Sequence, residues 1–211
     1  MRKVPNPGES SESFWQQHYA GLTKPTGGRP SAVLTRFAKG RSPGRALDIG
    51  CARGDDVIWL ARQGWTVTGV DVAQAALDAA RKAAETAGVA HKTSFERHDL
   101  AETFPTGSFD LVSAMFFQSP VEFERAGALR RAAAAVAPGG LLLIVTHGSR
   151  APWSWADPET KFPTPDQGLR DLALDPARWQ PVFVGISERD AKGPEGQEAK
   201  LVDNVIAMER L

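Results

Sequence analysis

Residues 45–71, RALDIGCARGDDVIWLARQGWTVTGVD, decide the fold of this chain. An apolar run that carries one carboxylate, Asp48, opens into a loop of small residues at 50–54. A periodic segment that starts with two aspartates follows, and a second alternating run ends on Asp71. The order of strand, small-residue loop, helix, strand and terminal acid predicts a βαβ unit with parallel strands.

The rest of the chain continues this alternation. Strands and helices alternate five times, which predicts an α/β fold with a doubly wound, mostly parallel sheet. Two later alternating runs, 181–188 and 201–209, are joined by a polar loop too short for a crossover helix. We therefore expect them to form an antiparallel C-terminal hairpin and to complete a seven-stranded sheet. The other predicted elements are helices at 13–21, 30–40, 72–88, 121–137 and 166–174, and strands at 92–98, 109–117 and 141–146.

Composition narrows the class of partner. The 211 residues include 25 Lys+Arg and 25 Asp+Glu, a balance that favours a small-molecule partner over nucleic acid. One cysteine cannot form an internal disulfide, which suits the reducing cytoplasm, and the N-terminal residues lack the apolar core of a signal peptide. No run approaches the length of a membrane span, and the four histidines show no metal-ligand spacing. The sequence carries no signal for a particular oligomeric state.

The charges of the small-residue loop indicate which ligand it suits. Nicotinamide-binding loops follow G-x-G-x-x-G, whereas Gly50, Ala52 and Gly54 give G-x-A-x-G. Asp55 and Asp56 occupy the first helical positions, where they would repel a pyrophosphate. The loop therefore favours a ligand with a positive charge and no phosphate, and S-adenosylmethionine is such a ligand.

With these motifs in place, residues 11–211 resemble class I S-adenosylmethionine-dependent methyltransferases. LDIGCARG (47–54) is similar to motif I of that family, and VTGVD (67–71) is similar to motif II. The compact bacterial branch with tellurite-resistance and thiopurine-type methyltransferases is the most similar, because FWQQHYA (14–20) and GGRP (27–30) mirror its N-terminal segment. Further similar segments are HDL (98–100), FDLVSAMF (109–116) and LRRAAAAVAPGGLLLIV (129–145).

The resemblance implies S-adenosylmethionine as the cofactor and residues 1–40 as a helical cap over it. Residues 41–211 would form the methyltransferase core of a single domain, with a substrate-side insert at 148–180. Asp71, which is 21 residues after Gly50, would accept hydrogen bonds from both ribose hydroxyls. The implied cofactor-binding residues are Trp15, Tyr19, Arg29, Asp48, Gly50, Cys51, Ala52, Gly54, Asp71, Val72, Asp99, Leu100, Ala114 and Met115.

The loop departs from the family pattern at two places. Ala52 replaces the middle glycine of motif I, which is tolerable unless the backbone needs a positive φ. Arg53 and Asp55 reverse the charge order that is usual in the branch. We expect the cofactor fold to persist and the fine contacts of the loop to differ.

Candidate catalytic residues follow the fourth and fifth strands, where ligands bind in open α/β sheets. We predict His147 as a base for the acceptor and Gln118 as an orienting group. No Asn-Pro-Pro-Tyr or Asp-Pro-Pro-Tyr motif follows the fourth strand, which counts against an amino-directed enzyme of the nucleic-acid type. The candidate substrate-binding residues are Trp15, Tyr19, Gln118, Trp153 and Trp155.

Three hypotheses remain open at this stage. The favoured one is methyl transfer to a small molecule with a soft nucleophile, such as a thiol or a chalcogen oxyanion; a hydroxyl, carboxyl or amine acceptor is the alternative within that class. A nicotinamide-dependent oxidoreductase is disfavoured by the loop. A non-catalytic protein that binds the cofactor as a module is the third.

Overall fold

The computed structural model describes residues 5–23, 26, 28–154, 159 and 161–211. Its strands are β1 (Arg45–Ile49), β2 (Thr66–Asp71), β3 (Thr93–Arg97), β4 (Phe109–Met115), β5 (Val136–His147), β6 (Trp179–Lys192) and β7 (Glu198–Arg210). Its α-helices are α1 (Ser11–Ala20), α2 (Ala32–Ala38), α3 (Asp55–Arg62), α4 (Gln74–Thr86), α5 (Arg125–Ala134) and α6 (Pro165–Leu172). A short 3-10 helix, Ala90–Lys92, precedes β3.

The strands form one sheet in the order β3-β2-β1-β4-β5-β7-β6. Strands β1 to β5 pair in parallel, and β7 pairs antiparallel with β5 and β6. This confirms the predicted doubly wound, mostly parallel seven-stranded sheet with an antiparallel C-terminal hairpin. The chain reverses its direction along the sheet at β1 and β4, and their carboxyl ends are the place where ligands bind in such folds.

Apolar side chains cover both faces of the sheet. One core cluster packs α2, α3 and α4 against the sheet through residues such as Leu34, Leu60 and Leu77, each fully buried. The other packs α5 and α6 through Leu129 and Leu172. Two-sided burial explains why the central strands are nearly continuous apolar runs.

Some predicted details were wrong. The helix expected at 121–137 is α5, which starts only at Arg125 because the Glu124 side chain caps it by accepting from the backbone N–H of Gly127. Strand β5 begins at Val136 rather than at residue 141, because Val136 already pairs with Phe109. The register of β4 and β5 then shifts, and Gly139 and Gly140 lie within this irregular part of the strand. Residues 98–108 join β3 to β4 without a helix, so the strand–helix alternation is interrupted there.

The helices that the structure describes include none long and apolar enough to cross a membrane.

Candidate active site

The predicted site residues gather at the carboxyl ends of the parallel strands, around three connected spaces. The first, the inner cavity, lies between α1 and the loops that follow β1 to β4. Eight predicted residues line it: Trp15, Tyr19, Gly50, Asp71, Val72, Asp99, Leu100 and Gln118. Residues from α1 and from four strand ends thus share one cavity.

The other two spaces adjoin it. The groove runs along the small-residue loop and includes the predicted residues Tyr19, Arg29, Asp48, Gly50, Cys51, Ala52, Met115 and His147. The side cavity is lined by the predicted residues Trp15, Gln118, His147 and Trp153. Gly54 and Ala114 are buried in the core and line none of these three spaces, and Trp155 lies outside the described residues.

Asp71 holds the small-residue loop in place as well as lining the inner cavity. Its Oδ2 accepts a hydrogen bond of 3.0 Å from the backbone N–H of Ala52, and its Oδ1 accepts one of 2.9 Å from Ala73. The loop itself is strongly curved, with φ of +69° at Gly50, +50° at Ala52 and +82° at Gly54. Sequence reasoning assigned Asp71 only to the ribose, whereas its carboxylate also ties β2 to the loop after β1.

The positive φ at Ala52 makes this residue a source of strain, because L side chains disfavour the left-handed region. Ala52→Gly is expected to raise the free energy of unfolding by about 0.5–1 kcal/mol, because glycine adopts a positive φ without strain. The greater flexibility of glycine in the unfolded chain offsets part of this gain. Affinity for S-adenosylmethionine should stay equal or improve, because the backbone N–H still donates to Asp71. Urea unfolding and equilibrium dialysis measure the two effects.

Two other alanines provide matched controls for this substitution. Ala173 also has a positive φ, 51°, and Ala173→Gly should stabilise the protein by a similar amount without touching the site. Ala87 has a φ of −78°, so Ala87→Gly should destabilise it. A large loss of cofactor affinity in Ala52→Gly would contradict an ordinary role for this loop.

Two buried carboxylates, Asp48 and Asp71, and the half-buried Asp56 give the site its electrostatic character. Burial raises the pKa of Asp48 well above its ordinary value, raises that of Asp56 to about 6, and raises that of Asp71. Each is therefore less ready to ionise than an exposed aspartate, and a cation close by would favour the ionised forms. The sulfonium and ammonium of S-adenosylmethionine are such cations, so the residues present fit this cofactor.

The N-terminus of α3 does not offer a phosphate-binding position. The Asp56 Oδ1 accepts a hydrogen bond of 2.6 Å from the backbone N–H of Ser31, and the Asp55 Oδ1 accepts one from the hydroxyl of Thr26. Gly54 at the N-cap supplies no side-chain hydrogen bond. The segment before α2 is thus anchored on the two aspartates, which disfavours a dinucleotide pyrophosphate at this helix.

Asp56 predicts how cofactor binding depends on pH. Because its pKa in the folded protein is about 6 and its ordinary value is 3.8, the free protein should lose stability as the pH rises between these values. A cationic ligand reverses the preference, so affinity should be full above about pH 7, be about half of that at pH 6 and be about tenfold weaker at pH 5. Calorimetric titration across pH 5–8 measures this, and Asp56→Asn should flatten the curve around pH 6. A flat wild-type curve would contradict the prediction.

Helix α1 covers the inner cavity through two side-chain hydrogen bonds. The indole Nε1 of Trp15 donates to the Ser119 hydroxyl at 3.1 Å, and the Gln16 Oε1 accepts from the backbone N–H of Ala75 at 3.0 Å. Trp15 and Tyr19 stack with their ring centroids 5.7 Å apart, as their spacing of four residues predicts. Burial raises the pKa of the Tyr19 phenol, with a contribution from Asp71, so this hydroxyl stays protonated.

Two phenylalanines that sequence reasoning did not single out complete the walls. Phe117 lies over the loop so closely that a Cβ at Gly50 would be 2.7 Å from its ring. Phe116 has a φ of +54° and stacks on the His147 ring, with centroids 4.6 Å apart. The signal available in the sequence was the aromatic pair directly after β4.

Cys51 is buried, and burial raises the pKa of its thiol, which disfavours a role as nucleophile.

Gln118 and His147 meet, as their places after β4 and β5 suggested. The Gln118 Oε1 accepts a hydrogen bond of 3.2 Å from the backbone N–H of His147, so Gln118 fixes the end of β5. The described ranges contain no cluster of three or more His, Cys, Asp or Glu side chains suited to a metal ion.

Comparison with known proteins identifies the family. A family model described as a methyltransferase domain matches residues 23–180. The chain belongs to this methyltransferase family. The match takes in the small-residue loop, Asp71 and the strand ends that line the inner cavity, and the class I resemblance is confirmed.

Relatives with known names share parts of this methyltransferase domain. A probable thiol methyltransferase 2 of Arabidopsis thaliana is 33% identical over 107 residues, which cover 49% of this chain and 47% of the relative. The chain spans about half or less of the curated relatives reported with it. These matches therefore show that the chain has a methyltransferase domain. They do not show which substrate it methylates.

Solved structures extend the likeness in fold across the chain. A structure from work on conversion of a disulfide bond into a thioacetal group during echinomycin biosynthesis has a TM-score of 0.73 and 22% identity, covering 93% of this chain and 91% of that one. TehB from Haemophilus influenzae has a TM-score of 0.67 and 16% identity, covering 95% of this chain and 67% of TehB. At these identities the likeness concerns the fold alone.

Proposed function

We propose that this chain transfers the methyl group of S-adenosylmethionine to a small-molecule acceptor. The observation that carries the proposal is the set of poorly exposed carboxylates, Asp48, Asp56 and Asp71, around a loop whose adjacent helix begins with two aspartates. Such a site suits a cation without phosphates. The family membership supports the same cofactor.

The residues at the inner cavity have distinct roles in this proposal. Asp71 would hold the ribose, Asp99 and Leu100 would flank the adenine, and Asp48 would stabilise the positively charged end of the cofactor. When bound, the cofactor supplies a methyl carbon activated by a sulfonium. Helix α1, which the sequence predicts as a cap, would exclude water from it through Trp15 and its hydrogen bond to Ser119.

The side cavity is the proposed acceptor site. Four aromatic side chains, Trp15, Trp153, Phe116 and Phe162, line it, together with the polar Gln118 and His147 and three cationic side chains, Arg150, Arg189 and Lys192. A wall that combines aromatic rings with cations suits a polarisable acceptor. The proposal therefore keeps the preference for a soft nucleophile, a thiol or a chalcogen oxyanion, and the Arabidopsis thiol methyltransferase supports the thiol.

A hydroxyl acceptor is the second candidate, because His147 lies at this cavity beside the buried Asp203. A hydroxyl must lose its proton during transfer, and a histidine held by a carboxylate is suited to take it.

A methyl-label screen tests the proposal. The chain is incubated with tritium-labelled S-adenosylmethionine and thiols, selenite, tellurite, phenols, carboxylates, heterocyclic amines or a ribosomal RNA fragment. We expect multiple turnovers with at least one small molecule, thiols first, and none with the RNA. Tight cofactor binding without any transfer would instead support the non-catalytic module, and a thermal shift with NADH alone would support the oxidoreductase.

A further inference from the structure

A buried carboxylate lies under an accessible imidazole at the edge of the proposed acceptor site. The antiparallel register of β5 and β7 places Asp203 directly opposite His147. Asp203 is only 1% exposed, whereas the His147 side chain is 45% exposed. In this pair the Asp203 carboxylate is buried, and the His147 ring is exposed at the surface of the cavity.

The two oxygens of Asp203 differ in their surroundings. Oδ2 accepts a hydrogen bond of 2.6 Å from the Nε of Arg189. Oδ1 is buried and has no hydrogen-bond partner among the described residues, and it lies 4.0 Å from the Nδ1 of His147. A buried carboxylate oxygen without a partner is unfavourable and calls for an explanation. Hydrogen bonds between catalytic groups are commonly long without ligand and shorten when the ligand binds.

His147 is held from its other sides as well. Its ring stacks on Phe116, and its backbone N–H donates to Gln118. With Nδ1 on the side of Asp203, a proton on Nδ1 would leave Nε2 as the nitrogen that can accept one. His147 lines both the groove along the small-residue loop and the side cavity, so its ring stands where cofactor and acceptor would meet.

We propose that Asp203 is a positioning residue that holds His147 as the general base for an acceptor whose reacting atom still carries its proton. The inference rests on the proposed methyl transfer. It narrows the acceptor to thiols or hydroxyls that are protonated when they bind, rather than selenite, tellurite or other anions. The acceptor's X–H bond breaks and its proton goes to Nε2. The electron pair left on X forms the bond to the methyl carbon, and the pair of the broken C–S bond stays on sulfur. His147 then releases the proton to solvent.

Other charged groups share the spaces around His147. Arg189 adjoins the same Asp203 carboxylate, and its guanidinium also lies over the Phe116 ring at 5.6 Å from the centroid. The remaining charged side chains that line the groove or the side cavity are Arg29, Arg36, Asp48, Arg53, Asp55, Asp56, Arg150, Glu188, Asp190 and Lys192. Asp203→Asn keeps an oxygen that can accept the hydrogen bond from Arg189. The substitution therefore removes the negative charge of Asp203 with little change in the contacts of the neighbouring groups.

The first test compares two acceptors in the wild type and in Asp203→Asn. Phenylmethanethiol is protonated at pH 7.5, whereas 4-nitrothiophenol is ionised; phenol and 2,4-dinitrophenol replace them if only hydroxyls are methylated. We expect Asp203→Asn to lower kcat/KM about 10–100-fold with the protonated acceptor and less than about threefold with the ionised one. With the protonated acceptor, the rise of activity with pH should move to lower pH in the variant.

The second test is a double-mutant cycle with His147→Asn. If Asp203 acts through His147, Asp203→Asn should cost almost nothing further once the imidazole is absent. If Asp203 only pairs with Arg189 to support the hairpin, the two costs should add. Thermal unfolding and the Kd for S-adenosylmethionine show whether each variant is folded and binds its cofactor.

The outcomes separate this inference from the proposed function. Equal losses with both acceptors, additive costs, or an unshifted pH profile would overturn the role of Asp203 and leave methyl transfer standing. Methylation of selenite or tellurite without any thiol or hydroxyl acceptor would do the same. Cofactor binding without transfer to any acceptor would remove the proposed function and the inference together.

Discussion

Asp71→Asn is expected to weaken the binding of S-adenosylmethionine by at least about 100-fold, since hydrogen bonds to a charged group are worth about 1.5–3 kcal/mol each. Asp71 accepts from two backbone N–H groups through two different oxygens, and an asparagine offers only one oxygen. One N–H, of Ala52 or of Ala73, would then face the amide NH2 without an acceptor. The loop would lose its anchor at the same time as the ribose would lose its carboxylate.

The free protein should also become less stable, by about 1–3 kcal/mol for one buried donor left unsatisfied. Calorimetric titration gives the Kd, and urea unfolding gives the stability. Asp110 provides the matched control, because its exposed Oδ2 accepts from the backbone N–H of Arg45 at the opposite edge of the sheet. Asp110→Asn should leave the Kd within about twofold of the wild type. An unchanged Kd in Asp71→Asn would remove Asp71 from the cofactor site.

Asp48→Asn should have effects of opposite sign on stability and on binding. Asp48 is 3% exposed and accepts from the hydroxyl of Ser113 at 2.7 Å, a hydrogen bond that an asparagine oxygen can keep. Because burial raises its pKa in the folded protein, ionisation of Asp48 costs stability as the pH rises above its ordinary value of 3.8. Asp48→Asn removes that cost, and we expect a gain of about 1 kcal/mol or more at pH 8.

The same substitution removes a negative charge that the cationic cofactor would need. Affinity for S-adenosylmethionine should therefore fall by about tenfold or more, the size of 1.4 kcal/mol. Urea unfolding at pH 8 and pH 5 should show the gain shrinking at the lower pH. A loss of stability at pH 8 would mean that the Asp48 charge is compensated in the free protein, and the account of the site as a cation pocket would then be wrong.

Local patterns predicted most of the fold and many of the residues that line the inner cavity. The small-residue loop, its two flanking strands and the acid that ends β2 have a fixed order in sequence, and Asp71 does line the inner cavity beside Gly50. The C-terminal hairpin was predictable because a short polar loop leaves only antiparallel pairing. These features depend on neighbours in sequence and on one rule of sheet topology.

The remaining features depend on contacts between distant residues. Asp203 meets His147 only through the register of β5 with β7, and no pattern within β7 marks it as a site residue. The hydrogen bond from the backbone N–H of Ser31 to Asp56 joins residues 25 positions apart and anchors the segment before α2 beside the start of α3. The positive φ at Ala52 was a question that the sequence raised, because alanine replaces the middle glycine of motif I, but only the structure answers it.

The fastening of α1 bears on how the cofactor would enter and leave. The helix is held by hydrogen bonds from Trp15 to Ser119 and from Ala75 to Gln16, by an ion pair between Glu12 and Arg97 at 3.3 Å, and by Phe14, which is 1% exposed. None of these contacts belongs to a strand pairing, so α1 can be released by local opening while the sheet stays intact, at a cost set mainly by exposure of Phe14. If α1 caps the cofactor as proposed, exchange of spent for fresh cofactor would require this opening, and closure of α1 would separate the exchange from the chemical step in time.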